Sequence, residues 1–238
     1  MRLNILFEDE NIIVCEKPAG VSSQTERGFD PDMVSILMNY QHQKGMENPY
    51  VGVIHRLDKP VSGVMVYAKT KTAASFLSKE LANKQFNKKY YAIVMNNNCD
   101  IRKILNDAGT LKNQLIHDVK SNTSYVTDDP KNKDAKEAIL NYKVLKTNAI
   151  EGINLALLDI ELLTGRHHQI RVQLSHAGFP ILGDKRYNNN MPEKLPYKLK
   201  KTGLALFAHN LSFRHPITKD IMEFDYSPLT MPIQVPTQ

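Results

Sequence analysis

Residues 50–68 read YVGVIHRLDKPVSGVMVYA, in which two short apolar runs flank a charged segment. Such runs, bounded by polar and turn residues, predict strands at Tyr50–Ile54 and Val64–Ala68. Asp58 lies between them, shortly before a proline and a glycine, so its carboxylate is expected on a loop held by rigid elements, where catalytic residues often lie. The residues alone nevertheless favour an ordinary turn aspartate that is solvated by its basic neighbours.

The apolar pattern predicts a strand-rich chain on either side of this stretch. Further strands are expected at Leu3–Phe7, Ile12–Cys15, Tyr90–Met95, Ile139–Leu145, Leu155–Leu162, Leu204–Leu211 and Ile221–Phe224. Residues Lys112–Ala135 are polar and rich in Asn, Asp and Lys, so loops and an exposed hairpin are expected there. Because strands outnumber helices and follow one another closely, the pattern indicates an α+β fold with a mixed or antiparallel sheet.

Three helices are predicted from capping residues and apolar spacing. The first has Asp30 as its N-cap. Its inward residues are Val34, Leu37 and Met38. The second begins near Thr70 or Thr72. Its inward residues are Ala73, Phe76, Leu77 and Leu81. The third is His168–Ala177, and Gly178 is well placed to terminate it.

The composition is that of an ordinary globular protein. The 238 residues are 42% hydrophobic and 24% charged, and this length fits one large domain or two closely packed subdomains. The longest apolar stretches fall far short of the roughly 20 residues that span a bilayer, and the amino terminus lacks the zones of a signal peptide. We therefore expect a cytoplasmic protein. The net charge of +6 is a mild sign of a polyanionic partner, although the lysine-rich run at residues 194–201 is better explained as a solvated surface.

Several chemistries lack their motifs. No GxGxxG turn for a dinucleotide is present, and neither HExxH nor GxSxG occurs. Cys15 and Cys99 form no CxxC pair and are expected to be buried apolar fillers. The three histidines His167, His168 and His176 share their segment with no acidic residue, and adjacent histidines usually diverge on a helix, so a metal site is not favoured. No metal and no cofactor are expected.

A second charged segment, LTGRHHQIR at residues 163–171, follows another predicted strand. Together with HRLDKPVSG at residues 55–63, it makes the chain resemble the RluA family of RNA pseudouridine synthases. The family hallmark is HRLDxxTSG, and Val61 is the only mismatch. The resemblance covers nearly the whole chain through further motifs, in the right order: EKPAG at 16–20, KYYAIV at 89–94, GD at 183–184 with Tyr187, and FRHP at 213–216.

The resemblance implies the pseudouridine synthase catalytic fold, a long bent mixed or antiparallel sheet flanked by helices with a central active-site cleft. Residues 1–238 would form one catalytic domain of two subdomains, without a separate RNA-binding domain. In the family's reaction the bond from uracil N1 to the ribose breaks, the base turns, and C5 is joined to the same carbon. The expected function is therefore isomerisation of specific uridines to pseudouridine in structured RNA.

Three residues match the family's catalytic positions. Asp58 matches the carboxylate that acts beside the sugar, either by attack or by stabilising positive charge. A carboxylate in a water-poor pocket stays ionised when a bidentate guanidinium is paired with it, and Arg171 matches that arginine. Tyr90 matches the tyrosine that lies against the target base. Since side chains alternate along a strand, only one of Tyr90 and Tyr91 can face the cleft.

Other residues of the two segments are candidates for binding the RNA. A uridine in a stem must be flipped out, and Arg56 matches the arginine that enters the vacated space, although a salt bridge is its alternative role. His55 is expected to order the loop by hydrogen bonds, and Gly63 to permit close backbone approach. The remaining substrate-binding candidates are Arg166, His168 and Gln169.

Two departures from the family concern substrate contacts. His167 stands where the family usually has Thr or Ser, and Gln173 where it often has His. The partner is expected to be a stem-loop of ribosomal or transfer RNA, with ribosomal RNA preferred, and the protein is expected to be a monomer. The alternatives are a noncatalytic RNA-binding protein or RNA chaperone of the same fold and a hydrolase that liberates free uracil.

Overall fold

The fold is described from a computed structural model, which describes residues 3–24, 30–96, 106–129, 132–188, 195–200 and 202–227. These residues fall into two compact units. The first holds the described residues up to Lys88 and those from Ala208 to Tyr226, and the second holds those from Lys89 to Phe207. None of the helices in these ranges has both the length and the apolar character needed to cross a bilayer.

The first unit holds a sheet and two helices. Its strands are β1 (Ile5–Glu8), β2 (Ile12–Lys17), β3 (Gly52–Val53), β4 (Ser62–Ala68), β10 (Leu206–Arg214) and β11 (Ile221–Asp225). The strand order is β1–β2–β4–β10, with β3 beside β4 and β11 beside β10. Alternate residues of β2 and β4, such as Ile12 and Val66, pack with Leu77 and Phe213 in one buried apolar cluster.

Helix α1 (Met33–Gln43) begins later than predicted. Asp32, not Asp30, is the N-cap. Its carboxylate accepts a hydrogen bond from the Ser35 N–H at 2.8 Å, while Ser35 Oγ accepts one from the Asp32 N–H at 3.0 Å. This reciprocal pair satisfies two N–H groups, which Asp30 could not do from a position two residues earlier. The buried stripe is Met33, Leu37 and Gln41, so the inward positions predicted at Val34 and Met38 were wrong.

Helix α2 (Lys71–Ala82) confirms the second prediction. Thr70 is the N-cap, and its hydroxyl accepts a hydrogen bond from the Ala73 N–H at 3.1 Å. Ala73 and Leu77 are fully buried, and Phe76 and Leu81 pack against the same apolar cluster. The apolar spacing was sufficient here because the helix lies with one face on the sheet.

The second unit contains five antiparallel strands in the order β5–β9–β8–β6–β7. They are β5 (Asn87–Asn96), β6 (Ala108–Asp118), β7 (Thr123–Thr127), β8 (Lys136–Ile150) and β9 (Ile153–Leu162). β8 and β9 form a long hairpin that closes at Glu151 and Gly152, both in the left-handed region. Ile93 and Met95 of β5 pack with Leu155 and Leu157 of β9 in a buried cluster.

The exposed hairpin predicted in Lys112–Ala135 is confirmed, but much of that segment is strand and not loop. β6 pairs with β7 from Gln114 to Asp118, and also with β8 along its first half. Its residues are mostly exposed or half-buried until Leu115 and Ile116. β6 lies between β8 and β7, and its backbone pairing with both strands supplies much of its contacts although few of its side chains are apolar. The apolar pattern therefore did not reveal it.

Helix α3 (Gln169–His176) agrees with the third prediction to within one residue at each end. Ala177 is the C-cap, and Gly178 follows in the left-handed region with a φ of 88°. A short helix, α4 (Tyr197–Lys200), had not been predicted, because its four residues carry too little pattern. The strands and helices together confirm the α+β class.

Candidate active site

The backbone around Asp58 is held in place by two buried side chains of the first unit. Ser23 Oγ donates to Leu57 O at 2.9 Å and accepts from the Leu57 N–H at 3.0 Å. The Lys17 ammonium donates to Lys59 O at 3.3 Å and to Val21 O at 2.7 Å. The backbone on both sides of the half-buried Asp58 is therefore fixed by one segment, residues 17–23.

Lys17 also supplies a positive charge beside Asp58. The Lys17 side chain is fully buried at the end of β2. Burial lowers the pKa of Lys17 to about 8, and the negative charge of Asp58 acts in the opposite direction, favouring the ammonium. The prediction had named only Arg171 as the cation for Asp58. The structure thus adds a second cation, within the same unit as the carboxylate.

His55 is anchored at the start of the Asp58 loop. Its Nε2 accepts a hydrogen bond from the Val66 N–H of β4 at 3.3 Å, and its ring meets the Phe86 ring edge-on at 6.2 Å between centroids. Protein atoms enclose the ring on most sides, and this burial lowers the pKa of His55 to about 3, with a smaller contribution from the charge of Lys88. His55 is therefore neutral at physiological pH.

Acidification is expected to destabilise the protein through His55. Because its pKa is lower in the folded chain than the ordinary value of 6.5, only the unfolded state binds a proton between these two values. The stability contributed by neutral His55 is fully present above pH 6.5 and is lost as the pH falls toward about 3. Urea unfolding at about pH 7.5 and about pH 5 should show a loss up to about 2 kcal/mol larger for wild type than for His55→Gln. Glutamine retains an acceptor for the Val66 N–H but does not titrate, so equal losses would contradict this assignment.

Gly63 ends the loop where only glycine fits. Its φ of +136° is in a region that side chains rarely adopt, and a Cβ there would lie 2.2 Å from Ala208 O. The close backbone approach expected at this position is present between β4 and β10. Arg56, on the other side of Asp58, has an exposed side chain, and Lys59 forms an exposed ion pair with Asp30 at 3.3 Å.

In the second unit, Arg171 is buried on α3 and forms a bidentate ion pair with Asp184. Its Nε donates to Asp184 Oδ2 at 2.8 Å and its Nη2 to Asp184 Oδ1 at 2.9 Å. Burial acts to raise the pKa of Asp184, but the hydrogen bonds and charge of Arg171, with the N–H groups of Arg186 and Tyr187, hold it below its usual range. The guanidinium also lies over the Tyr187 ring, 5.0 Å from its centroid. These contacts fix the orientation of Arg171.

The substrate-binding candidates Arg166 and Gln169 both take part in holding the turn before α3. Gln169 is buried, and its Oε1 accepts from Thr164 Oγ1 at 2.8 Å and from the Arg166 N–H at 3.0 Å. Its Nε2 donates to Ile139 O at 3.1 Å. The exposed Arg166 side chain donates from Nε to Glu137 O at 2.9 Å. Contact of either residue with RNA stays a prediction.

The adjacent histidines do not diverge as expected. His168 is the N-cap of α3 in the left-handed region, with a φ of 53°, and His167 precedes the helix. Because neither residue has continued the helical turn, their rings stack, with centroids 3.8 Å apart. His168 Nδ1 also hydrogen-bonds to Tyr187 OH at 2.7 Å. His168 therefore belongs to the same side-chain group as Arg171, through Tyr187.

Tyr90 and Tyr91 are separated as strand alternation requires. Tyr90 is 7% exposed and lies opposite Ile160 in the β5–β9 ladder. Tyr91 packs against the apolar cluster of Ile93 and Leu157. Tyr91 is thus occupied in the core, and Tyr90 projects from the other face of β5.

Each unit thus gathers part of the predicted site. The first holds Asp58 with His55, Arg56 and Gly63, and the second holds Arg171 with Tyr90, Arg166, His168 and Gln169. The pairing of Asp58 with Arg171 stays a prediction. The structure adds three residues to those predicted from the sequence. Lys17 places its positive charge near Asp58. Asp184 forms an ion pair with Arg171, and Tyr187 lies under the Arg171 guanidinium. All three lie in the motifs that carry the family resemblance, which was the available signal.

Comparison with known proteins gives the same family throughout. The family model described as RNA pseudouridylate synthase matches residues 11–176, a range that includes Asp58, Tyr90 and Arg171. The uncharacterized RNA pseudouridine synthase YhcT of Bacillus subtilis is 32% identical over 92% of this chain and 67% of its own length. Ribosomal large subunit pseudouridine synthase D of Haemophilus influenzae is 31% identical over 95% of this chain and 67% of its own length.

Solved structures show the same fold. Human RNA pseudouridylate synthase domain containing 4 superposes with a TM-score of 0.72 at 24% identity, covering 94% of this chain and 88% of that one. Human RNA pseudouridylate synthase domain containing 1 gives a TM-score of 0.73 at 20% identity, covering 97% and 85%. The match of the family model over most of the chain, the relatives above 30% identity and the predicted RluA resemblance agree, and the chain belongs to the RNA pseudouridylate synthase family.

Proposed function

We propose that this enzyme isomerises specific uridines in structured RNA and prefers ribosomal RNA to transfer RNA. The observation that carries the proposal is the Asp58 loop, whose backbone is fixed on both sides by Ser23 and Lys17 while Lys17 places a positive charge beside the carboxylate. The preference for ribosomal RNA is supported by relatives named ribosomal large subunit pseudouridine synthase C and D.

The reaction requires a carboxylate that remains ionised beside C1′ of the target ribose. As the bond from N1 to C1′ breaks, positive charge develops on the sugar, and Asp58 either bonds to C1′ or stabilises that charge. The base then turns, C5 bonds to C1′, and C5 loses its hydrogen to solvent while N1 gains one. Atoms and electrons balance without an oxidant or a hydrolytic water, and we propose that the reaction needs no metal or cofactor.

The groups of the second unit are proposed to complete this site. Asp184 accepts hydrogen bonds from Nε and Nη2 of the Arg171 guanidinium, and the Tyr187 ring lies against one face of that group. A guanidinium held in a fixed orientation can pair with an anion in a defined direction. We propose that the anion is Asp58, that Tyr90 lies against the uracil, and that Arg56 occupies the space that the flipped nucleotide leaves. A cytoplasmic monomer is the proposed form of the enzyme.

The choice of RNA is tested by tritium release from RNA that carries tritium at uracil C5. Ribosomal and transfer RNA, each labelled in cells that lack the enzyme, are incubated separately with the purified protein. Release from ribosomal RNA and little from transfer RNA is expected. Release from transfer RNA alone would overturn the preference, and tight binding of both RNAs with no release from either would indicate a noncatalytic RNA-binding protein.

A further inference from the structure

Four aromatic side chains of the second unit form a continuous column. The His167 ring is sandwiched between His168 and His117, with centroid distances of 3.8 and 3.9 Å and interplanar angles of 31° and 27°. His168 in turn meets the Tyr187 ring edge-on at 5.5 Å. Since the Arg171 guanidinium lies over Tyr187, the column leads from the predicted catalytic arginine to β6 of the exposed hairpin.

Hydrogen bonds fix the inner members of this column. Tyr187 OH accepts a hydrogen bond from the Ser124 N–H at 2.8 Å and forms a second hydrogen bond with His168 Nδ1, 2.7 Å away. Ser124 Oγ pairs with His167 Nδ1 at 2.9 Å. Ser124 lies opposite His117 in the β6–β7 ladder, so both residues are on one face of the hairpin. The stack is therefore a rigid arrangement.

The outer end of the column is open. His117 is exposed although one face of its ring lies on His167, so the accessible part of the ring is its opposite face and its edge. Three exposed cations, Lys120, Arg166 and Arg186, lie near members of the column in sequence, and Arg186 Nη1 donates to Asn122 O in the hairpin turn. An exposed π-face is a surface on which an unpaired base of single-stranded nucleic acid can stack, and cations in the same region can neutralise its phosphates.

We propose that His117 is a stacking platform for an unpaired base of the substrate RNA, at the outer end of the column formed with His167 and His168. This inference rests on the proposed function, since it takes RNA as the substrate, and it adds a contact outside the reacting nucleotide. The outer end of the column would hold a base that flanks the target uridine. Arg171, at the inner end of the column, would act in the isomerisation itself. His117 is thus a determinant of RNA binding, and not a catalytic residue.

Substitutions at His117 separate stacking from charge. Binding of in vitro transcribed ribosomal RNA is measured by filter retention. His117→Ala should weaken binding about tenfold, equivalent to about 1.4 kcal/mol of lost stacking. His117→Phe should bind within about twofold of wild type, because it retains a π-face. The salt dependence of binding should be unchanged in both variants, since no phosphate contact is lost.

Kinetics and a matched control complete the test. His117→Ala should raise KM for tritium release about tenfold and leave kcat unchanged, as expected for a contact that is equal in the ground and transition states. Tyr125→Ala removes an aromatic ring, 50% exposed, whose strand position places it on the opposite face of the same hairpin. It should leave binding unchanged.

Several results would overturn the platform. One is that His117→Ala binds RNA as tightly as wild type. Another is that His117→Phe or Tyr125→Ala loses as much RNA affinity as His117→Ala. A shallower salt dependence in His117→Ala would instead indicate a phosphate contact and would also reject stacking. If these binding results are found and the wild-type enzyme still releases tritium, only the stacking role of His117 is refuted and the proposed function stands. If wild type releases no tritium, the proposed function is refuted whatever the binding data show.

Discussion

Asp58→Asn is expected to lose turnover by about a thousandfold or more while the protein remains folded and binds RNA. Asparagine matches aspartate in shape but carries no negative charge, so it can neither bond to C1′ nor stabilise positive charge on the sugar. The loop backbone should stay in place, because the contacts of Ser23 and Lys17 and the bond from the Val61 N–H to Asp58 O at 3.0 Å do not use the carboxylate. Single-turnover tritium release measures the loss.

Stability and binding separate this effect from unfolding. The free energy of unfolding of Asp58→Asn should fall by less than the roughly 3 to 5 kcal/mol of a broken buried pair. The buried Lys17 ammonium loses a nearby negative charge, but it keeps three carbonyl acceptors. Asp30→Asn is the matched control, because it makes the same change at an exposed carboxylate paired with Lys59 in the same unit. Turnover of Asp58→Asn within tenfold of the control would refute the assigned role.

Asp184→Ala is expected to reduce both stability and turnover. It leaves the Arg171 guanidinium buried without its bidentate partner and removes the acceptor for the N–H groups of Arg186 and Tyr187. Loss of one partner of a buried pair typically costs about 3 to 5 kcal/mol, because the remaining charge is uncompensated. Turnover should fall even at temperatures where the variant is folded, since Arg171 no longer has a fixed orientation. Urea unfolding and tritium release measure the two effects.

The exposed pair of Lys112 and Glu137 provides the control for Asp184. Their side chains are 64% and 46% exposed, with Nζ and Oε2 2.9 Å apart. Glu137→Ala should change the free energy of unfolding by less than about 1 kcal/mol, because solvent screens the pair. If Asp184→Ala were no more destabilising than Glu137→Ala, or if it retained full turnover, the ion pair with Arg171 would have neither of the roles given to it.

Sequence patterns correctly predicted the helices and strands that are determined by residues close together in the chain. Thr70 and the apolar spacing after it identified α2 because the cap and the buried face lie within one stretch of sequence. The start of α1 was misplaced because Asp30 and Asp32 are both plausible caps, and only the bond to Ser35 distinguishes them. The long strand β6 was missed since its pairing with β7 and β8, and not its side chains, stabilises it.

In the candidate site too, motifs identified individual residues, whereas contacts between residues distant in the chain could not be predicted. HRLD and HQIR identified Asp58 and Arg171 through family resemblance, yet sequence spacing could not reveal that Lys17 is buried against the carbonyl of Lys59. A lysine is ordinarily expected at the surface. The stack of His167 on His168 depends on the left-handed backbone at His168, a conformation that is uncommon outside glycine and that no neighbouring residue signals.

The most direct test of the account is the fate of the C5 hydrogen and of the base when wild-type enzyme and Asp58→Asn act on ribosomal RNA labelled with tritium at uracil C5. The account predicts that wild type releases tritium to water in proportion to the pseudouridine recovered from the RNA, with no free uracil, and that Asp58→Asn releases essentially none. Tritium release by Asp58→Asn at the wild-type rate, or free uracil in place of pseudouridine, would contradict it.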